Sequence, residues 1–327
     1  MPSLTPQIEI EVHLSGDGRG RMERDVRAGL SADPKELPPK YFYDERGSRL
    51  FEQITELPEY YPTRAEREIL RDRSAEIVAA AGAPRTLVEL GSGSAAKTRH
   101  LLGAMRDAGC LEAYVPVDIS PEITRETAAA LVREYPGLAV HGLVCDFEHD
   151  LERIPAAEGG RLVAFLGGTI GNLYPDARSD FLARIAALLA PGDCFLLGTD
   201  LVKDHGRLEA AYDDAAGVTA EFNKNVLAVL NRELKADFDL DRFEHVARYD
   251  STEARVDIRL RSLVDQQVRV AALDLDVGFA AGEEMRTEIS TKFTRPRLEA
   301  IFGEAGLTFA DWFPDSRGDY ALSLACL

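Results

Sequence analysis

The chain has 327 residues, 45% of them hydrophobic and 29% charged, with a formal net charge of -18. That size and mixture suit one large domain or two modest ones, with a core that needs no metal or disulfide staple. The acidic balance speaks against nucleic acid and against an anionic membrane surface as partners, since both are gripped through clustered Lys and Arg. The four cysteines, Cys110, Cys145, Cys194 and Cys326, show no CxxC spacing and are expected as free thiols, with no structural zinc. The opening stretch MPSLTPQIEIEVHLSGDGRG has no basic segment leading into an apolar one, and no apolar run reaches membrane-spanning length; a cytoplasmic protein is expected.

In chain order, the first twenty or so residues read as a loose arm or an edge strand. Short helices broken by proline follow over 21–82, with Leu37-Pro38-Pro39 and Leu57-Pro58 as the interruptions. Thr63 and Glu66 have capping-box spacing and predict a helix to about residue 81. A regular alternation then sets in. Apolar strands are predicted at 86–90, 113–118, 139–145, 161–166 and 194–199, and helices at 95–109, 121–135 and 175–189. Such alternation implies βαβ units and a parallel sheet covered on both faces. After Thr199 the rhythm changes: 206–232 reads as helical, and 243–278 alternates apolar and polar residues with a period of two, as an antiparallel sheet does. A helix at 296–306 and a strand pair over 307–327 close the chain. The parallel-sheet domain is thus interrupted by an insertion of roughly ninety residues.

The strongest motif is Val88-Glu89-Leu90-Gly91-Ser92-Gly93-Ser94-Ala95-Ala96-Lys97-Thr98, a strand entering a glycine-rich turn before a helix. Gly91 and Gly93 let backbone approach a ligand closely. With Ala96 as a third small residue the motif also satisfies the loose dinucleotide fingerprint, and Asp118 ends the second strand where either a nicotinamide enzyme or a methyltransferase binds ribose. Three features favour the methyltransferase. Glu89 stands in the acid-x-Gly-x-Gly position, Asp146-Phe147 follows the third strand, and a helix with a strand pair ends the chain.

Longer strings carry a more specific resemblance. Pro39-Lys40-Tyr41-Phe42-Tyr43-Asp44, Leu57-Pro58-Glu59-Tyr60-Tyr61-Pro62-Thr63-Arg64, Phe165-Leu166-Gly167-Gly168-Thr169-Ile170-Gly171-Asn172-Leu173 and Gly198-Thr199-Asp200-Leu201-Val202-Lys203-Asp204 resemble the L-histidine Nα-methyltransferases that open ergothioneine formation. The resemblance extends through 212–219 and 282–285 and covers nearly the whole chain beyond about residue 21. It implies trimethylation of histidine to hercynine by S-adenosylmethionine, with a methyltransferase for another amino acid, such as tryptophan, as the alternative. It implies an α/β class I methyltransferase fold, Rossmann-like, with a seven-stranded sheet and an inserted α+β substrate-binding domain. The substrate domain would comprise 1–64 and 203–291, and the S-adenosylmethionine domain 65–202 and 292–327. A monomer, with a small-molecule substrate and no metal, is expected.

Residue by residue, the resemblance places the cofactor on Gly91, Lys97, Asp118, Asp146 and Phe147. The substrate carboxylate falls to Asn172 and Tyr212, the amine to Tyr43, Asn172 and Gly167, and the imidazole to Glu288 and Ser290 with Tyr60 nearby. Tyr43 and Asn172 are the expected catalytic pair. Asn172 can both donate and accept, and a phenol at Tyr43 can orient an amine without placing a fixed charge beside it. Glu288 and Ser290 are two apart and share a strand face. Gly168 and Ile258 depart from the family pattern of Ser and Met, and Ile258 is expected to line the side-chain pocket. His100, His141, His149, His205 and His245 are scattered and read as surface or internally satisfied residues.

Overall fold

The computed structural model describes residues 8–14 and 18–327. Its elements run β1 (Ile8–Val12), α1 (Gly18–Ser31), α2 (Glu45–Glu56), α3 (Pro62–Ala80), β2 (Thr86–Leu90), α4 (Arg99–Asp107), β3 (Ala113–Asp118), α5 (Pro121–Glu134), β4 (Ala139–Val144), β5 (Arg161–Phe165), α6 (Pro175–Leu188) and β6 (Cys194–Asp200). There follow α7 (His205–Ala210), α8 (Val218–Leu234), β7 (Phe243–Asp250), β8 (Arg255–Ser262), β9 (Gln266–Val270), β10 (Leu275–Phe279), β11 (Glu284–Thr291), α9 (Arg295–Glu304), β12 (Thr308–Pro314) and β13 (Tyr320–Cys326). The chain divides into two compact units. Unit 1 holds Arg64–Leu201, Phe293–Leu327 and the described part of Met1–Ser15; unit 2 holds Val202–Lys292 and the described part of Gly16–Thr63.

Unit 1 is an eight-stranded sheet in the order β1-β4-β3-β2-β5-β6-β13-β12. The first six strands are parallel, while β13 runs antiparallel to both β6 and β12. This is one strand more than the seven expected, because β1 pairs in parallel with β4, Ile8 opposite Val140 through Val12 opposite Val144. The opening segment therefore contributes an edge strand to the sheet and not a piece of the inserted lobe. Side chains alternate across the sheet. Leu87, Tyr114, Leu162 and Leu196 face one core with α3 and α4, whereas Val88, Val115, Val163 and Phe195 face the other with α6 and α9. Strand order reverses about β2, so the crevice beyond the carboxyl ends of β2, β3 and β5 is where an open α/β sheet takes its ligand.

Unit 2 packs α8 against the antiparallel sheet β11-β8-β7 and the hairpin β9-β10 over a core that includes Phe42, Phe222, Phe243, Phe279 and Met285. The single helix expected over 206–232 is two. Asp214 accepts from the N–H groups of Val218 and Thr219, and Gly217 takes φ +76°, so α8 starts afresh after α7.

Three further expectations are corrected. The helix after the glycine turn starts at Arg99 and not at 95, because Ala95 holds φ +52° and cannot join a right-handed helix. Glu66 does not cap α3; its carboxylate accepts from the Gly167 N–H at 2.7 Å, the Tyr320 hydroxyl at 2.8 Å and the Lys97 ammonium. Cys194 and Cys326 are joined as a disulfide, since antiparallel pairing of β6 with β13 sets them opposite each other with Cα atoms 4.2 Å apart. Cys110 and Cys145 remain free thiols.

Candidate active site

The turn after β2 is shaped from below and from the side. Beneath it, the buried Glu89 carboxylate accepts from the Tyr114 hydroxyl at 2.5 Å and from the Thr98 hydroxyl, tying β2 to β3 and to the start of α4. Burial raises the pKa of this group to about 7 against the lowering effect of those two hydroxyls and of nearby Lys97. Glu89 is thus an acid of the loop's foundation. At the side, Asp118 accepts from the N–H of Gly93 at 2.8 Å and from that of Ser120 at 2.9 Å, so the acid expected at the ribose also fixes the turn.

Gly91 and Gly93 take φ +69° and +49°, the left-handed region that glycine enters without strain. A Cβ on Gly93 would meet nothing within 4 Å, so the turn borders open space, while one on Gly91 would lie 3.9 Å from the Phe147 ring. Phe147 is itself seated edge-on against Phe165, with ring centroids 5.3 Å apart. Asp146 accepts from the Glu148 N–H at 3.0 Å, which turns the chain after β4. An open cradle of glycine backbone, with a carboxylate and an aromatic ring at its rim, fits an adenosyl cofactor. Lys97 is half-buried and its ammonium donates to Glu66.

Glu66 links this turn to the loop after β5. There Gly167 and Gly168 take φ +79° and +71° and lead into a 3-10 turn over Thr169–Asn172 that ends on half-buried Asn172. At Gly168 the left-handed backbone is one that glycine enters without strain. Asp118, the last residue of β3, and Gly91, Lys97, Asp146, Phe147, Gly167 and Asn172, in the loops, therefore all lie at the carboxyl end of the unit 1 sheet.

Unit 2 gathers the remaining candidates. Tyr43 is densely surrounded yet 42% exposed, the combination of a side chain lining an opening. Desolvation first, then the Glu288 carboxylate and the Tyr60 and Tyr212 phenols, push its pKa well above a phenol's usual 10, so it is a neutral hydroxyl at physiological pH. The Tyr43 ring packs on Phe51 and Phe222, and Tyr60 packs edge-on against Tyr212 with centroids 6.1 Å apart. Glu288 and Ser290 stand on β11 opposite Ile258 and Val256 of β8, so Ile258 shares their face of the sheet. The Ser290 Oγ lies 2.7 Å from the Tyr212 hydroxyl.

Sequence reasoning missed two side chains, and read a third, His245, as surface or internally satisfied, the second of which it is. Glu66 reads as a cap because its partners are remote in the chain. Lys292 is fully buried and donates to Tyr212 at 2.9 Å and Ser290 at 2.8 Å; period-two spacing from Ser290 was its only signal. The His245 side chain is buried, accepts from Asn223 at Nδ1 (2.8 Å) and donates from Nε2 to the Tyr212 carbonyl (2.7 Å). Desolvation lowers its pKa below the usual 6.5, which suits a neutral ring bonded at both nitrogens. Elsewhere, β1–β4 pairing brings together Glu9, Glu11 and His141, which the scattered numbering concealed; Glu11 lies 2.7 Å from His13 and 2.8 Å from His141. Among the described residues, no helix is long and apolar enough to cross a membrane.

A dinucleotide fold continues its sheet beyond the strand equivalent to β6 with a further parallel strand. Here β13 enters antiparallel between β6 and β12, and together with the cradle after β2 this defines a class I S-adenosylmethionine-dependent methyltransferase. Residues 22–326 match the family described as "Histidine-specific methyltransferase, SAM-dependent", and the chain belongs to it. It is 61% identical over 319 residues to the histidine N-alpha-methyltransferase of Mycolicibacterium smegmatis, covering 97% of this chain and 99% of that protein. The histidine N-alpha-methyltransferase of Mycobacterium tuberculosis is 54% identical over 320 residues, with 98% and 99% covered. Ergothioneine biosynthesis protein 1 of Neurospora crassa is 35% identical over 201 residues, which are 61% of this chain and 23% of that protein.

Proposed function

We propose that the enzyme methylates the α-amino nitrogen of free L-histidine three times, yielding hercynine and opening ergothioneine formation. The observation that carries this reading is the Tyr43–Tyr60–Tyr212–Glu288 grouping in unit 2, in a chain of the histidine-specific family. It supplies a neutral phenol for an amine and a carboxylate for an imidazole N–H.

When bound, S-adenosylmethionine supplies an electrophilic methyl on a good leaving group, so the protein's work is positioning and exclusion of water. In this reading Gly91, Asp118, Asp146 and Phe147 hold the donor's adenosine end, and Lys97 its amino-acid end. Asn172 and Tyr212 take the histidine carboxylate, and Glu288 takes the imidazole. An α-amine of pKa about 8 is roughly one-tenth neutral at pH 7. Tyr43, being uncharged, accepts or donates to that amine without stabilising its ammonium as a carboxylate does.

The test is incubation with histidine and S-adenosylmethionine, read by mass spectrometry for successive gains of one, two and three methyl groups. Accumulation of a singly methylated product that goes no further refutes trimethylation. Glu288→Ala is expected to raise KM for histidine about tenfold to a hundredfold, the worth of a charged hydrogen bond; an unchanged KM refutes its role. The reading includes a cytoplasmic monomer; among the described residues no helix is long and apolar enough to cross a membrane. Light scattering tests the monomer. Alkylation of Cys194 and Cys326 in protein taken directly from cells tests the compartment: the disulfide between them persists in an oxidising one and is reduced to two thiols in a reducing one.

A further inference from the structure

The β1 edge of the unit 1 sheet gathers metal-ligating side chains that the methyl-transfer site does not use. Parallel register sets Glu9 of β1 opposite His141 of β4, with Glu11 two residues on and on the same face. One donor atom from each of these three side chains lies within 4.8 Å of the other two. His13 continues that face, because its backbone N–H still bonds the Val144 carbonyl at 2.8 Å. The Glu11 carboxylate stands between two imidazoles, with Oε1 2.8 Å from His141 Nε2 and Oε2 2.7 Å from His13 Nε2. Ile10 and Val140 turn to the other face and into the core, so the strand pair is a firm base for the cluster. The side chains of Glu11, His13 and His141 are 41%, 25% and 27% exposed, open enough for an ion to reach. Among the described residues the Glu9 carboxylate has no hydrogen bond or ion pair of its own.

Two imidazoles with two carboxylates form a mixed nitrogen and oxygen donor set. Magnesium and calcium take oxygen ligands, so this set favours a first-row ion such as zinc. Zinc holds such donors at about 2.0–2.1 Å, which spaces neighbours about 3.3 Å apart in a tetrahedron. The contacts of Glu11 with the imidazoles need to open by only about half an ångström to admit it. Each imidazole ligates through Nε2 once its proton sits on Nδ1. At His141 no described residue bonds Nδ1, and that tautomer is available. At His13 the Arg153 guanidinium lies 3.3 Å from Nδ1, and Arg153 must release it while keeping its bond to Asp150.

We propose that Glu9, Glu11 and His141 bind a zinc-class divalent cation, with His13 as the fourth ligand, and that the ion clamps β1 to the sheet. None of these residues belongs to the cofactor or substrate site, so the proposal stands apart from the reading of the substrate.

The experiment titrates chelator-treated protein with zinc chloride by calorimetry, with magnesium chloride as the comparison. Exposed thiol is first blocked, so that Cys110 does not compete. The parent is expected to take up one zinc per chain and no magnesium over the same concentration range. His141→Ala and Glu11→Gln are each expected to weaken zinc binding by more than about tenfold, and His13→Ala by less. With zinc at about ten times its Kd, amide exchange governed by opening of β1 should slow about tenfold in the parent and stay unchanged in His141→Ala. His141→Gln, which keeps the bulk of the side chain, replaces the alanine variant if that does not fold by circular dichroism. A parent that binds no zinc overturns the proposal, as do His141→Ala and Glu11→Gln variants that bind it like the parent. Magnesium uptake that survives in His141→Ala overturns the role of the imidazole, and parental affinity in His13→Ala overturns its place as fourth ligand.

Discussion

Glu89→Gln isolates the electrostatic cost of seating an acid beneath the glycine turn. In the folded protein burial lifts the Glu89 carboxyl from an ordinary 4.5 to about 7. Below pH 4.5 it is protonated folded and unfolded, and contributes nothing to pH dependence. Above pH 7 it is ionised in both states, and the folded state bears the full cost of desolvating the charge, about 3 kcal/mol. Stability from this group therefore falls as pH rises through that window, opposite to the behaviour of a salt-bridged carboxylate. Between pH 5 and pH 8 the linkage integral gives about 2.5 kcal/mol. The amide cannot ionise, so the variant should gain about that much on the parent over the same interval, whatever it loses at pH 5 from its altered bonds to Thr98 and Tyr114. The assay is denaturant unfolding across pH 5–8, followed by the fluorescence of Trp312, the chain's single tryptophan, which lies on β12 of the same unit. Parent and variant curves that run parallel, within about 0.5 kcal/mol at every pH, would refute the reasoning.

Two structural substitutions test other joints of unit 1. A Cβ at Gly198 on β6 would sit 2.4 Å from a Glu66 carboxylate oxygen and 2.6 Å from the Tyr320 hydroxyl. Gly198→Ala is accordingly expected to destabilise by about 1–3 kcal/mol and to raise KM for S-adenosylmethionine, because Glu66 also holds Lys97 and Gly167; unfolding and KM both at parental values would refute the hub. Arg161 and Asp193 form a buried pair, each side chain 3% exposed, in which Asp193 also accepts from the Arg161 and Ala190 N–H groups. Asp193→Ala strands the guanidinium and should cost about 3–5 kcal/mol in denaturant unfolding; a loss under about 1 kcal/mol would show the pair to be dispensable.

The strands β2 to β6 were legible because each is a short apolar run buried on both faces, and the closing helix and strand pair followed from the same patterning. The cofactor residues were legible because a glycine turn at a strand end and an acid at the next strand end are local signals. What was illegible depends on pairing at a distance. The β1 strand is short and half-polar, and only its register against β4 reveals an eighth strand and the meeting of His13 and His141 at Glu11. The Cys194–Cys326 bond joins residues 132 apart and follows from sheet order, which spacing does not encode. Glu66 sits three after Thr63, a helix-start pattern, yet the demand of Gly167, Lys97 and Tyr320 for a buried acceptor decides where its side chain goes. Lys292 could not be singled out, because burial of an ammonium is set by the hydroxyls around it and not by its neighbours in sequence.

The position of β13 has a consequence for synthesis on the ribosome. This strand lies between β6 and β12, so β6 keeps one flank of bare amide and carbonyl groups until Tyr320–Cys326 has emerged. By then all ninety-one residues of Val202–Lys292 have already left the tunnel. A nascent chain stalled within that stretch carries an unpaired strand edge on a half-built sheet, and chaperone demand during translation should peak there.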